Sequence, residues 1–335
     1  MTAFSVPHKK EKALQPKASI GQTCFLLLSV SCFFLLLCNA KDTITSLQSA
    51  LLTCGRSVIP SLFPIAVLSE LLSACGQGVF FQPILSPLKR IFRLPAAGCW
   101  AVLLGWICGF PIGARCIRNA YLAGQLERSD AERALTFCNI PSPAFLINAV
   151  GFSLFESRAL GITLYASVLS SSFICGILIT HLPGKERRTT VEATSQGAFS
   201  TPSPARLFTD AIRSACGSIL LVCSYILFFS AFAGALRPIL SASGLPKTTC
   251  AILFSLLEIS VGMRECAALS SPSLSIVMAA LAAGWSGLSV HCQLLSVCDE
   301  TDLSLRPYLL SKVLQGLLSP LLLGAFLAIF PNLLS

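Results

Sequence analysis

The sequence predicts an all-α polytopic integral membrane protein of about eight spans, some of them broken or re-entrant, arranged in two related halves. Three observations support this fold class. Hydrophobic residues make up 54% of the 335-residue chain and charged residues 12%, whereas a soluble domain carries about 25% charged residues. The mean hydropathy is +0.76. Several apolar stretches approach the roughly 20 residues that a helix needs to cross hydrocarbon.

The basic residues lie beside these apolar stretches. The formal net charge is +9, and much of it falls in residues 1–20, 87–93 and 183–206. Short basic segments next to spans are typical of the positive-inside rule. The charge therefore indicates membrane topology, and we expect no nucleic-acid partner.

The chain begins with a basic polar segment, residues 1–19, which we predict to be a cytoplasmic tail. The apolar stretch that follows, residues 20–40, is longer than the core of a typical signal peptide. No clear small-x-small cleavage site precedes Lys41. We therefore predict a retained signal-anchor helix with its N-terminus in the cytoplasm.

The first membrane half is placed at residues 20–182, and after the anchor it contains five segments. In order, these are an amphipathic helix at 44–56, a span at 58–75, a basic interfacial helix at 82–93, a broken helix with its breaks within 109–143, and a clean span at 160–182.

The second membrane half is placed at residues 207–335, after a polar linker at 183–206 that is rich in Ser, Thr and Pro. It repeats the order of the first half: an amphipathic start at 211–234, spans near 246–260 and 273–291, a break at 284–293, a charged turn, and a last span at 308–330. Such repetition is typical of transporter halves. Chance similarity between apolar stretches is the alternative.

Two breaks in the first half are the most informative feature of the chain. Gly109-Phe110-Pro111-Ile112-Gly113 interrupts one apolar run, and Asn139-Ile140-Pro141-Ser142-Pro143 precedes the next. Backbone unwinds at membrane depth only where protein buries it or a watery cavity adjoins it. Interrupted apolar segments also indicate the binding site of a transporter. We therefore predict that the chain binds and moves a small polar solute.

Two arginines follow the first break. Arg115 and Arg118 lie three residues apart and would share one helix face. A charge at the bilayer centre costs at least about 2.5–3.5 kcal/mol, so it needs a compensating interaction. We predict that the two guanidinium groups bind an anionic substrate. The alternative is that they mark the cytoplasmic end of a span.

Polar residues near the breaks complete the predicted substrate site. A half-helix starting near Pro143 would direct free N–H groups at an anion, and ordinary capping at a membrane surface is the alternative. The predicted ligands, besides the two arginines, are Asn139, Ser142, Ser286, Ser289 and His291.

Two residues are candidates for coupling transport to an ion. The charge of His291 changes near neutral pH, although a single histidine is more often structural. Glu258 lies inside or next to a predicted span, where an ion pair with Arg264 is the alternative.

We predict no enzyme, no cofactor and no metal site. The chain has neither HExxH nor GxxxxGK[ST]. Gly284-Trp285-Ser286-Gly287 matches the GxSG of intramembrane serine proteases, but His291 lies about 140° around the same helix and His181 precedes the serine. The cysteines form no CxxC pair, so they are interpreted as small apolar residues. A metal path along Cys108, Cys116 and Cys138 is the alternative.

Five segments together resemble the sporulation integral membrane protein YlbJ family. They are GFPIGAR at 109–115, SDAER at 129–133, residues 139–151, GLSVHCQ at 287–293, and residues 301–316. Their order and spacing carry the resemblance, which covers about residues 45–330. The family is part of a wider group with a nucleoside-recognition gate domain. That group includes concentrative nucleoside carriers and the membrane part of ferrous-iron transporter B.

The resemblance implies an endospore-forming bacterium in which the protein passes dipicolinic acid, a flat aromatic dianion, across the outer forespore membrane. Its partners would be the bilayer and this small anion, with self-association or contact with other sporulation membrane proteins left open. The residues agree with such a solute, because arginines, helix N-termini and the aromatic side chains of Trp106, Phe110 and Trp285 lie near the breaks.

Two other functions stay open. One is a gate-type carrier of nucleosides or metal ions. A carrier of metal ions would depend on Cys108, Cys116 or Cys138, whereas a carrier of a dianion would depend on Arg115. A non-transporting scaffold for spore assembly would tolerate both Arg115→Ala and Asn139→Ala.

Overall fold

The computed structural model describes residues 20–74, 81–181 and 203–330, and within these ranges every regular element is a helix. The predicted all-α membrane fold is confirmed. The predicted tail at 1–19 and all but the last residues of the predicted linker lie outside the described residues.

The first seven helices and their bounds follow the predicted segments closely. They are α1 (Ile20–Cys38), α2 (Ala40–Thr53), α3 (Ile59–Ala74), α4 (Gln82–Phe92), α5 (Ala96–Cys108), α6 (Ile112–Leu122) and α7 (Arg128–Cys138). A π-helical segment, Cys54–Val58, joins α2 to α3 directly, with no loop between them. None of the residues of α1 is buried, so this helix contributes little to the packed interior.

The remaining helices contain the second series of breaks. They are α8 (Ala144–Phe155, π-helical over Ala144–Phe152), α9 (Arg158–His181), α10 (Pro204–Ala242), α11 (Lys247–Leu257), α12 (Ile259–Ala267), α13 (Pro272–Trp285), α14 (Leu288–Cys298) and α15 (Arg306–Ile329). From α5 to α9, and again from α11 to α15, two pairs of short helices separated by breaks precede one long helix.

Two boundaries differ from those predicted. The predicted linker at 183–206 gives way to helix at Pro204, because Ser203 caps α10 by accepting a hydrogen bond from the Arg206 N–H at 3.4 Å and proline suits the first helical position. The break expected over 284–293 is confined to Ser286 and Gly287, whose φ angles are +77° and +89°.

Six of the described helical segments are long and apolar enough to cross a membrane. A bent pair, Pro83–Phe92 with Ala96–Cys108, makes a seventh when counted as one span; its axis turns by 101°. These six or seven spans compare with the predicted number of about eight, and α8 and α11 are shorter apolar helices.

Small residues let the broken helices approach backbone to backbone. A Cβ atom added to Gly105 would lie 2.1 Å from the carbonyl oxygen of Cys138, and one added to Gly113 would lie 2.7 Å from the Cα of Gly105. In the same way, a Cβ on Gly151 of α8 would lie 2.4 Å from the Cα of Gly161 in α9. Such close contacts are typical of helix packing in membranes, where dispersion replaces the hydrophobic effect.

Candidate functional site

A cavity of about 370 Å³ lies where the breaks of the two halves meet the π-helical segment after α2. This volume is within the range of about 300–1,000 Å³ found for small-molecule sites. The polar residues that line it are Thr53, Arg56, Ser57, Ser61, Ser142, Asn148, Ser153, Glu258, Ser260, Ser289 and Gln293. The cavity therefore offers many oxygen and amide groups to a polar solute.

The sequence creates this cavity by bringing the two breaks of each half together. In the first half, a Cβ on Gly109 (φ +79°) would lie 2.7 Å from the backbone nitrogen of Ser142, and the Phe110 N–H donates to the Ile140 carbonyl at 3.2 Å. In the second half, a Cβ on Gly287 would lie 3.0 Å from the backbone nitrogen of Ile259. Only glycine fits such contacts at these φ angles.

Glu258 forms the break between α11 and α12 and is fully buried. Its Oε2 accepts hydrogen bonds from the Val261 N–H at 2.8 Å and the Ser260 hydroxyl at 2.5 Å. Its carboxylate thus caps the N-terminus of α12, where the helix dipole favours a negative charge. The ion pair with Arg264 considered above does not form; in the same helix, Glu265 pairs with Arg237 at 2.6 Å.

Three buried oxygen atoms of the cavity lining have no hydrogen-bond partner among the described residues. They are Glu258 Oε1, Ser289 Oγ and Gln293 Oε1. Ser289 and Gln293 lie four residues apart on α14 and so share a face. Because buried polar atoms are nearly always paired, these three atoms indicate a site that is completed by a bound group.

Arg56 is the only positively charged residue among the described lining residues, and Glu258 is the only negatively charged one. Arg56 belongs to the π-helical segment, in which the extra residue per turn widens the helix. Insertions of this kind are frequent at functional sites. Arg56 was not predicted from the sequence; its position at the end of an amphipathic helix, next to a glycine, was the available signal.

Three of the residues selected from the sequence line the cavity: Ser142, Ser289 and Glu258. The Ser142 hydroxyl accepts a hydrogen bond from the Phe145 N–H at 3.2 Å and so caps the start of α8, as expected for a half-helix that begins near Pro143. Whether these residues contact a solute stays a prediction.

The two arginines selected from the sequence do not line the cavity. Arg115 binds Glu70 at 3.1 Å and the Ser214 hydroxyl at 2.5 Å, which ties α6 to α3 and α10. Arg118 pairs with Glu300. Both guanidinium groups already have partners, so their predicted role as substrate ligands stays a prediction that the geometry of the cavity does not support.

Asn139, Ser286 and His291 are buried and are not among the residues that line the cavity. The Tyr308 hydroxyl lies 3.4 Å from Asn139 Nδ2 and 2.8 Å from His291 Nδ1, so one residue of α15 bridges the breaks of both halves. The Ser286 hydroxyl donates to the Ala283 carbonyl at 3.2 Å. The three side chains shape the breaks and do not line the cavity.

Two buried residues of α15, Lys312 and Gln315, were not selected from the sequence. The Lys312 ammonium group donates to the Gly284 carbonyl at 3.2 Å and to Gln315 Oε1 at 3.2 Å. Gln315 Nε2 in turn donates to the Thr136 carbonyl at 2.9 Å. An ionisable residue inside an apolar span is a functional candidate in itself, and this was the signal for Lys312.

The aromatic residues near the breaks divide into two groups. Phe110 lines the cavity together with Phe145. Trp106 packs instead in a cluster with Phe92 and Phe137 and donates to the Phe137 carbonyl at 2.9 Å, and Trp285 contacts the ring of His291 at 4.4 Å between centroids. Phenylalanine faces are thus available to a planar solute in the cavity.

The cysteines proposed for a metal path lie apart from the cavity lining. Cys108 and Cys138 are buried, and Cys116 Sγ lies 3.9 Å from the Ser73 hydroxyl. In residues 20–74, 81–181 and 203–330, no group of three or more His, Cys, Asp or Glu side chains is placed to hold a metal ion.

The helices and the cavity define the class of protein: an all-α polytopic integral membrane protein whose broken helices line a cavity of mixed polar and apolar side chains. The chain is 29% identical over 293 residues to the sporulation integral membrane protein YlbJ of Bacillus subtilis (strain 168). The matched region covers 77% of this chain and 71% of that protein. This similarity confirms the resemblance to the YlbJ family that the sequence shows. No protein-family model matches the chain, and no solved structure is detectably similar to it.

Proposed function

We propose that this protein transports a small organic anion through the membrane during sporulation, without any covalent step, and that dipicolinate, carried across the outer forespore membrane, is the first candidate. The observation behind this proposal is the cavity of about 370 Å³, lined by polar and apolar side chains, at the meeting point of the breaks of both halves. Broken helices that meet around a cavity are the usual binding site of secondary transporters.

Arg56 supplies the charge that an anion requires. It is the positive group of the cavity lining, and its planar guanidinium can hold a carboxylate through two parallel hydrogen bonds. The start of α8 at Ser142 adds the positive end of a helix dipole, which favours a negatively charged group. These two features support an anionic solute.

Phe110 and Phe145 support a solute that is also planar. Both line the cavity next to the first-half breaks, and aromatic rings stack in offset or edge-to-face arrangements. Dipicolinate combines a flat ring with two carboxylates, so it matches both the aromatic and the basic parts of the lining.

The test is uptake of labelled dipicolinate by the purified protein in liposomes, with ion gradients of either direction. We expect uptake by the parent protein and at least about a tenfold loss in Arg56→Ala, since each 1.4 kcal/mol of lost binding is a factor of ten. Arg56→Lys should keep part of the uptake because the charge remains while the bidentate geometry is lost.

Arg206→Ala is the matched control, because Arg206 lies at the exposed start of α10 in an ion pair with Asp210. Full uptake by Arg56→Ala, or equal loss in both variants, would contradict the proposed role of Arg56. If the correctly inserted parent protein shows no uptake under any gradient, the scaffold function is favoured; if it takes up nucleosides in place of dipicolinate, the nucleoside-carrier function is favoured.

A further inference from the structure

The second-half side of the cavity contains an unusual group of acceptors. Glu258, Ser289 and Gln293 are each at most 1% exposed, and each has an oxygen atom without a hydrogen-bond partner among the described residues. They come from two breaks that touch, since a Cβ on Gly287 would lie 3.3 Å from the Cα of Glu258. The place where these two breaks touch is here called the junction. Ser289 follows Gly287 by two residues, which brings its hydroxyl to the junction.

The chemistry of these atoms selects the kind of ligand. A carboxylate, a hydroxyl and an amide oxygen are hard donors, which suit alkali and alkaline-earth cations rather than soft metals. Among the three donors only Glu258 carries a negative charge, which a monovalent cation would balance. The ends of interrupted helices commonly coordinate such cations in membrane transporters.

We propose that Glu258, Ser289 and Gln293 form a binding site for a monovalent alkali cation. Ser260, whose hydroxyl holds Glu258 Oε2, and the N-terminus of α12 position the carboxylate so that Oε1 faces the site. The inference rests on the proposed function in one respect: a bound cation would neutralise Glu258 and so allow an anion to share the cavity with it.

The test is binding of Na⁺ to the purified full-length protein in detergent or nanodiscs with no organic anion present. We expect NaCl, compared with choline chloride at equal ionic strength, to raise Tm by a few degrees and to saturate. LiCl and KCl are run in parallel to rank the alkali cations. Labelled Na⁺ binding gives the Kd directly.

Glu258→Gln is the decisive variant, because its amide keeps the size of the side chain and can donate to the oxygen atoms of Ser289 and Gln293. We expect it to fold, to be at least as stable as the parent without Na⁺, and to lose the Na⁺ response. Ser289→Ala should weaken Na⁺ binding by at least about tenfold, since even outer-shell partners change metal affinity by that amount.

Glu265→Gln is the matched control: it makes the same change within α12, the helix that Glu258 caps, at a residue that pairs with Arg237 and does not line the cavity. It should bind Na⁺ with the parent's Kd. The proposal is overturned if choline and the alkali cations stabilise the parent equally, if Glu258→Gln keeps the Na⁺ response, or if the parent responds only to pH.

This measurement separates the site from the transported solute. Selective alkali-cation binding that is lost in Glu258→Gln supports the site even when liposomes take up no dipicolinate. Uptake of dipicolinate by a protein that shows no cation response would retain the proposed function and reject this site.

Discussion

At the scale of single residues, two buried ionisable side chains, one basic and one acidic, flank the break at Ser286 and Gly287. Lys312 donates to the carbonyl of Gly284, at the C-terminal end of α13. Glu258 lies against Gly287 and caps the N-terminal end of α12. Each side chain is therefore at the helix end whose dipole favours its ionised form, which lowers the cost of ionisation in the membrane.

Gly287 is the residue on which this break depends. Gly287→Ala would place a Cβ 3.0 Å from the Ile259 nitrogen at a φ angle of +89°. We expect a loss of about 1–3 kcal/mol in the free energy of unfolding, the usual size of backbone strain at such positions, and a loss of the alkali-cation response. Thermal unfolding with and without NaCl measures both.

Gly217→Ala is the control for this change, since nothing lies within 4 Å of a Cβ at Gly217 in α10. It should leave stability unchanged or raise it slightly, because alanine favours a helix. Equal stability of the two variants would show that the break does not require glycine.

The residues of the cavity were only partly predictable from the sequence. Ser142, Ser289 and Glu258 were found because they lie at Gly/Pro breaks or within apolar runs, where a polar residue stands out. Arg115 and Arg118 stood out equally, yet they pair with Glu70 and Glu300. Partners that lie far along the chain decide whether a charge is free to bind, and sequence spacing does not reveal them.

At the scale of secondary-structure elements, α15 connects the broken helices of the two halves. One face of α15 presents polar side chains at a spacing of three or four residues: Tyr308, Ser311, Lys312, Gln315 and Ser319. Ser311 and Gln315 both donate to the Thr136 carbonyl near the end of α7. Lys312 donates to the Gly284 carbonyl near the end of α13. The helix thus satisfies carbonyl groups that the breaks leave without intrahelical partners.

We expect Gln315→Leu to destabilise the protein by about 1–3 kcal/mol, because it removes a hydrogen bond to a buried carbonyl and the acceptor of the Lys312 ammonium group. Leu317→Ala, on the lipid-exposed face of the same helix, should have a much smaller effect. Unfolding in mixed micelles compares the two, and similar losses would argue against the capping role of α15.

Most elements were predicted to within a few residues, since long apolar runs bounded by Gly, Pro and charge define the helices. The exceptions are α10, which extends beyond the predicted 211–234 at both ends, and the predicted span at 246–260, which is broken at Glu258. The polar stripe of α15 was visible in the sequence at helical spacing. Its partners were not, because they are backbone carbonyls, which every residue has and no sequence pattern marks.

At the scale of the whole molecule, a group of polar contacts outside the long spans, here called the polar seam, joins the two predicted halves. Arg118 pairs with Glu300, and Asp302 accepts hydrogen bonds from the Tyr121 hydroxyl at 2.6 Å and from Arg128 at 3.1 Å. The turn between α14 and α15 thereby docks on α6 and α7. The boundaries of the halves stay a prediction. The polar seam could not be predicted, because its residues are common surface residues that no sequence pattern marks as partners.

The polar seam has a definite pH dependence. The hydrogen bond from Tyr121, followed by the charge of Arg128, lowers the pKa of Asp302. Its stabilising contribution is therefore complete at neutral pH and is lost as the pH falls through about 3.9, where free aspartate titrates, and below. Tyr121→Phe should remove part of this acid sensitivity.

A double-mutant cycle with Tyr121→Phe and Asp302→Asn, measured by unfolding at neutral and acidic pH, tests the link. We expect the two changes to be non-additive at neutral pH and additive in acid. Additivity at both pH values would mean that the two side chains do not interact in solution.

The glycine contacts between broken helices also limit how the cavity can open. Where Gly105 meets Cys138 and Gly151 meets Gly161, backbone touches backbone, so no side chain is present there to change rotamer and admit movement. We expect the first-half breaks to travel as one rigid body. Any opening would then occur by shear against the side that α3 and α10 contribute, where larger side chains such as Leu62, Val222 and Ile226 can slide and repack.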